Sequence, residues 1–327
     1  MGTPTPIGQR DDSEMPRYGG IATYALLPRL EDVTRADVAV LGVPFDSGTS
    51  FRPGARFGPA HIRENSRQLH PYHQFLDVYP FGRQQVADAG DVAVGPYDME
   101  RAVAAIERAA RSLVEQGTRV VALGGDHTVA LPLMRAAAAA HGPLAVLHFD
   151  AHLDTWDTCH GASVWHGSPF RRAAEEGIID LNHCQHVGTR GGVYDATELV
   201  DDRKAGFERI DAQDFQDRSI GDVVAQIRRR LGAGPVYVSV DIDVLDPAHA
   251  PATGTPEVGG LTTRELLATL RGLAGLDIVG CDIVEVAPAY DHADVTGLAA
   301  AHTAWELISL IALGEDGSAI KAKAAER

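Results

Sequence analysis

Asp150, His152 and Asp154 alternate with Ala151 and Leu153, so in extended backbone all three side chains leave the same side. They close the run Leu144-Ala-Val-Leu-His-Phe-Asp-Ala-His-Leu-Asp154, which opens as an apolar buried-strand pattern after a Gly142-Pro143 break. Two carboxylates and an imidazole converging past a strand end are costly to hold there without a cation. Alone, the stretch favours a polar strand end with a satisfied histidine. Three further strands change that balance. They end in His127 behind Gly124-Gly125, in Asp241 and Asp243, and in Glu285. In open parallel sheets the functional crevice lies beyond the carboxyl ends of the strands, so these residues can converge while distant in sequence. Asp150, Asp154, Asp241 and Asp243 with His127 and His152 suffice to ligate two divalent cations with shared carboxylates. Oxygen and nitrogen donors without thiolate point to manganese rather than structural zinc.

The elements that must position these groups alternate between strand and helix. Ala36–Val43 reads as a first strand, followed by a glycine- and proline-rich loop to Pro59 that carries Arg52 and Arg56. A helix starts near Pro59 and carries Ile62 and Leu69. Residues 85–90 form a short strand, and Val103, Ile106, Ala110, Leu113 and Val114 recur at helical spacing up to Gly117. Strand 118–123, an alanine-rich helix 129–140, and the opening strand follow. Past Asp154 come a loop to Pro169, a helix to Glu176, and a short strand ending at His186–Arg190. The segment 195–217 is charged and poorly patterned. A helix at 220–231, a strand at 235–240, a loop at 246–260, a helix from Thr262, a strand at 277–286 and a helix at 295–313 complete the pattern. Strands apolar on both faces specify a parallel sheet covered on both sides. The expectation is one α/β domain over 36–315, between an N-terminal arm at 1–35 and a polar tail at 316–327. The arm either wraps a neighbouring subunit or frays.

A formal charge of −16 over 327 residues argues against a nucleic-acid partner and is compatible with a cationic ligand. No apolar run approaches a membrane span, the N-terminus lacks the apolar core of a signal peptide, and Cys159, Cys184 and Cys281 form neither a zinc pattern nor a disulfide framework. A cytoplasmic enzyme with no membrane partner is expected.

Gly124-Gly-Asp-His127, Asp150-Ala-His-Leu-Asp154 and Ser239-Val-Asp-Ile-Asp-Val-Leu-Asp-Pro247 together resemble the three signatures of the ureohydrolase (arginase/agmatinase) family. The likeness runs from Gly42-Val-Pro-Phe-Asp46 to Glu285-Val-Ala-Pro288 and into Tyr290-Asp291. Arg52-Pro-Gly-Ala-Arg-Phe-Gly-Pro59 and His166-Gly-Ser-Pro-Phe170 are similar to the agmatinase branch. The resemblance implies a three-layer α/β/α sandwich with a mainly parallel eight-stranded sheet, two Mn2+ per chain, and a homo-oligomer, trimer or hexamer. It implies that His127, Asp150, Asp154 and Asp241 hold one ion and Asp150, His152, Asp241 and Asp243 the other, with Asp150 and Asp241 bridging. Asp154 is counted with the catalytic groups as well. Glu285 would receive the guanidinium and His166 would shuttle the proton, while Asp126 and Asp246 take turn or supporting roles. The implied reaction is hydrolysis of a C–N bond in a linear amidine, giving urea and an amine.

The substrate's far end is the open point. The loop from Thr155 to Trp165 lacks the serine-glycine-asparagine pattern with which the arginase branch meets an α-amino acid, which disfavours arginine. Agmatine is the first expectation, its ammonium met by Asp157 or the acidic surface; His160 is a loop histidine that could contact substrate. Guanidinobutyrate or another guanidino acid is the alternative. A zinc deacetylase on a related fold is disfavoured because both ligand sets are complete. A non-catalytic metal-binding relative is the more distant possibility.

Overall fold

The computed structural model describes residues 5–314 apart from residues 12 and 14, so the tail expected at 316–327 lies outside the described residues. The strands are β1 Val38–Gly42, β2 Val86–Asp91, β3 Arg119–Leu123, β4 Leu144–Phe149, β5 Ile179–Thr189, β6 Phe207–Asp211, β7 Val236–Asp241 and β8 Ile278–Val284. They form one eight-stranded sheet in the order β2-β1-β3-β8-β7-β4-β5-β6, parallel at every pairing. The helices are α1 Gly58–Ser66, α2 Pro80–Arg83, α3 Met99–Val114, α4 Ala130–His141, α5 Pro169–Glu175, α6 Ala196–Lys204, α7 Asp214–Asp217, α8 Ile220–Leu231, α9 Thr263–Arg271 and α10 Val295–Leu313.

The three layers follow from alternation along the strands. Val38, Val40, Val121, Leu147 and Val238 face one core with Ile62 of α1, Ile227 of α8, Leu270 of α9 and Leu307 of α10. Their neighbours Ala39, Leu41, Val120 and Val146 face a second core with Ile106 of α3, Leu133 of α4 and Phe170 of α5. Each fully buried aliphatic side chain contributes roughly 1.5–3 kcal/mol against exposure, which is why these strands lack a polar face.

Three features differ from the sequence reading. The poorly patterned stretch 195–217 contains α6, β6 and α7, because β6 is an edge strand with a half-solvated face and α6 buries only Asp202. In the arm, Tyr24, Ala25, Leu26 and Leu27 are buried. The Tyr24 amide donates to Asp88 at 2.6 Å and its hydroxyl to the Ala301 carbonyl at 2.8 Å, so this part is anchored on the domain. Finally, α10 is an apolar helix of 19 residues, long enough to cross a membrane by length and composition, contrary to the expectation that no run approaches a span. Here it is a core helix, buried against α1, α9 and the sheet.

Candidate metal centre

The four strands that end in acid or imidazole residues are neighbours: β3, β8, β7 and β4 form the middle of the sheet. Leu123, Ile283, Val240 and Phe149 are paired across one line of the ladder. One residue further on, Asp241 and Asp150 therefore stand side by side, and Glu285 stands one step beyond. Interior strands, hydrogen-bonded on both edges, fix these heights.

The turns after the strands are tightly built. A methyl group on Gly125 would stand 1.6 Å from the Phe45 carbonyl oxygen, which also accepts the Asp126 amide at 2.8 Å. Only glycine lets the β3 turn press this closely on the loop after β1. Asp126 accepts the amides of Gly48 (2.7 Å) and Thr128 (3.0 Å), and Asp246 those of Ala248, Gly259 and Gly260, so both carboxylates secure turns. Asp154 and Glu285 both sit in left-handed backbone, with φ of 52° and 64°. Such strain costs on the order of 1 kcal/mol or more per residue and collects at functional sites.

Two groupings of ligand atoms result. In the first, His127 Nδ1 lies 2.9 Å from Asp154 Oδ2, 3.2 Å from Asp150 Oδ2 and 3.3 Å from Asp241 Oδ2. Though buried among three carboxylates, that nitrogen makes no hydrogen bond of acceptable geometry. Its tautomer explains why. Ser239 donates its hydroxyl hydrogen to Asp282 (2.6 Å), so it must accept from His127 Nε2 (2.8 Å), leaving a lone pair on Nδ1. A lone pair facing three carboxylate oxygens is repulsive unless a cation lies between them. In the second grouping, His152 Nδ1 lies 3.2 Å from both Asp150 Oδ1 and Asp243 Oδ2. Asp150 thus presents one oxygen to each grouping. Asp241 offers Oδ2 to the first, while its Oδ1 accepts the Asp243 amide at 2.9 Å.

The electrostatics agree. Burial, then like charge on Asp243 and Asp150, pushes Asp241 well above the carboxylate range. Burial and Asp150 lift Asp243 to about 6, and the same two causes raise Asp154. For Asp150 burial opposes ionisation, but His148 outweighs it and the group is held well below the carboxylate range. Acids crowded in this way need protons or cations, and oxygen and imidazole donors without thiolate suit a hard or borderline divalent metal.

Glu285 is fully buried beside this cluster. Its Oε1 accepts the His127 amide and faces His166 Nδ1, each at 2.9 Å, whereas its Oε2 is buried without a partner. His166 Nε2 accepts the Ser50 amide at 3.1 Å and lies 2.7 Å from the Ser50 hydroxyl, so Nδ1 carries the hydrogen toward Glu285. Burial opposes charging of His166, but Glu285, Asp154 and Asp126 lift its pKa to about 9. A cavity of about 770 Å³ opens beside it, between residues 47–50, α3 and residues 159–165.

On the loop after β4, the Trp156 and Trp165 rings stack at 6.1 Å. Asp157, offered above as the acid for a substrate ammonium, is bound by Arg172 of α5, with Arg171 3.9 Å away. His160 is exposed on the loop, with φ of 47°. Arg56 pairs with buried Asp46, and Arg52 lies over the Tyr290 ring at 5.2 Å, so the first pins its loop through a carboxylate.

All eight residues expected at the site stand in this one place, braced by side chains that were not among those expected. His148 approaches Asp150 Oδ2 at 2.8 Å, and Asp282 orients His127 through Ser239. The signal for His148 was available, since it lies two residues before Asp150 on the same face of β4. That for Asp282 was weaker, a lone acid inside an apolar strand.

The Arginase family model matches residues 36–309. The guanidinobutyrase of Pseudomonas aeruginosa is 42% identical over 302 residues, covering 91% of this chain and 95% of that protein. Putative agmatinase 1 of Schizosaccharomyces pombe is also 42% identical, over 90% of this chain and 83% of its own. Among solved structures, the proclavaminate amidino hydrolase of Streptomyces clavuligerus superposes with a TM-score of 0.87 at 40% identity, covering 91% of this chain and 99% of that one.

Proposed function

The chain belongs to the arginase family of ureohydrolases, which hydrolyse C–N bonds in linear amidines, and on that premise we propose that it releases urea from a linear guanidino acid of the 4-guanidinobutyrate type, using two manganese ions per chain. The observation that carries the guanidinium part is Glu285 Oε2, a buried carboxylate oxygen with no partner at the edge of the ligand cluster. A planar cation with N–H groups is its natural complement, and a charge-assisted bond there orients the guanidino carbon toward the cluster.

His127, Asp150, Asp154 and Asp241 would hold one ion, and Asp150, His152, Asp243 and Asp241 the other. When bound, the metals supply Lewis acidity that lowers the pKa of a water at neutral pH. The chain's own groups do the rest. Glu285 fixes the substrate, with its second oxygen braced by the His127 amide. His166, in contact with Glu285 and backed by Ser50, holds a proton beside the guanidinium site and passes it to the leaving amine. The Trp165 ring, edge-on to His166 at 5.5 Å and on the wall of the adjoining cavity, offers the alkyl tail an apolar face.

The preference for an acid tail is supported by Asp157. It is the one acid on the loop 155–165, and Arg172 already neutralises it, which leaves no free carboxylate there for the ammonium of agmatine. Agmatine is the second reading, favoured by the likeness to putative agmatinase 1. The test is urea release by manganese-loaded protein from 4-guanidinobutyrate, 3-guanidinopropionate, agmatine and arginine, with metal content determined on the same sample. The highest kcat/KM on a guanidino acid is expected. A preference for agmatine would overturn the tail assignment, and no urea from any of them would overturn the function.

A further inference from the structure

Asp150 is, among the described residues, the ligand candidate whose two oxygens face both groupings, so whatever fixes its carboxylate fixes both. A buried chain reaches it from behind. His148 Nε2 lies 2.8 Å from Asp150 Oδ2, His148 Nδ1 lies 2.7 Å from His186 Nδ1, and His186 Nε2 lies 2.9 Å from Asp202 Oδ1. All four residues are at most 1% exposed.

The hydrogen bonds fix the donors. Ionised carboxylates only accept, so both Nε2 atoms turn hydrogen toward them, and the two Nδ1 atoms face each other. The far end is clamped. The His186 ring stacks on Phe207 at 4.0 Å with 10° between the planes, and Asp202 Oδ1 also accepts the Thr155 hydroxyl at 2.7 Å. Thr155 follows Asp154, so α6, through Asp202, grips both the back of the shared ligand and the backbone beside another.

We propose that His186 and Asp202 are positioning residues for the dinuclear centre, holding the His148 ring with its Nε2 hydrogen on Asp150 and so setting the direction of a carboxylate that faces both ligand groupings. This rests on the dinuclear reading above. Neither residue touches a ligand atom, and their effect passes through His148. Groups of this kind typically change metal affinity by about 10- to 100-fold.

The test uses manganese alone, with affinity measured by chelator competition and the exchange-coupled signal followed by electron paramagnetic resonance. Wild-type protein must first bind two ions per chain. Fewer than two sinks the dinuclear reading, and this inference with it, before any variant is made. His186→Phe keeps a ring against Phe207 but has no nitrogen, whereas His186→Gln offers two amide hydrogens, one for Asp202 and one for His148 Nδ1. The expected result is manganese binding weakened about 10- to 100-fold with an altered coupling signal in His186→Phe, and binding within about threefold of wild type in His186→Gln. Folded His186→Phe with wild-type affinity and signal overturns the proposal. So does equal loss in both variants, which would mean that ring packing alone matters. Should His186→Phe fail to fold, Asp202→Ala carries the same expectation, and unchanged manganese binding there overturns it.

Discussion

Replacing Glu285 by glutamine isolates the guanidinium contact from the metals. The two side chains have nearly the same volume, and the site is fully buried, so the pocket keeps its shape. The amide oxygen can take the place of Oε1, where it still accepts from the His127 amide and from His166. The amide nitrogen then stands where Oε2 had no partner, presenting hydrogens to the hydrogens of the guanidinium. One charge-assisted bond is lost and a donor–donor conflict is added in a buried site. Removing one side of a buried charge pair typically costs about 2–5 kcal/mol. A loss of about 3–4 kcal/mol corresponds to roughly 200- to 1000-fold in kcat/KM. Glu285 belongs to neither ligand grouping, so two ions should remain bound. Urea release across a range of substrate concentrations, with metal counted on the same preparation, reads both quantities. A kcat/KM within about tenfold of wild type, metals retained, would refute the guanidinium role. Loss of an ion would refute the separation of Glu285 from the metal sites.

Asp150→Asn should deplete both sites together, giving fewer than one ion per chain where wild type is saturated; full stoichiometry would contradict its shared role. Gly125→Ala sets a methyl against the Phe45 carbonyl with backbone on both sides, so a loss of about 3 kcal/mol or more is expected, seen as a Tm drop of roughly 6 °C or insolubility. Asp291 has its pKa held at about 2: burial would raise it, but His61 and the amides of Thr296 and Gly297 at the start of α10 outweigh that. Because the folded pKa is depressed, this contribution is complete above the unfolded value near 4 and is lost as pH falls through 2. After discounting for solvent it is about 1 kcal/mol. The Tm difference between wild type and Asp291→Asn should be largest at pH 5–7 and shrink toward pH 2; a constant difference would count against the assignment.

Alternation made the centre legible in the sequence. Asp150, His152 and Asp154, like Asp241 and Asp243, announce one-sided placement by spacing alone, and the apolar runs before them declare interior strands. The order of those strands was not legible, because nothing in an apolar run records which neighbour it pairs with. The supports were harder still. His148 is the one polar residue of its strand, His186 lies in a strand of mixed polarity with Asn182, His183 and Gln185, and their partner Asp202 lies in α6, whose sequence has no apolar stripe to mark a helix. Asp157 misled for the opposite reason, since an acid on a pocket loop looks available until Arg172, fifteen positions away, is seen to hold it.

The placement of the ligands at the ends of four adjacent interior strands has an evolutionary consequence. Ladder hydrogen bonds on both edges of β3, β8, β7 and β4 set the heights of the ligand groups, and a slip of one residue would turn them to the wrong face. The segments that wall the cavity beside His166, residues 47–50 and 159–165, are loops outside that ladder. Mutations there can be sampled without moving the groups that do the chemistry. A chain built this way can change what it eats while keeping how it cuts.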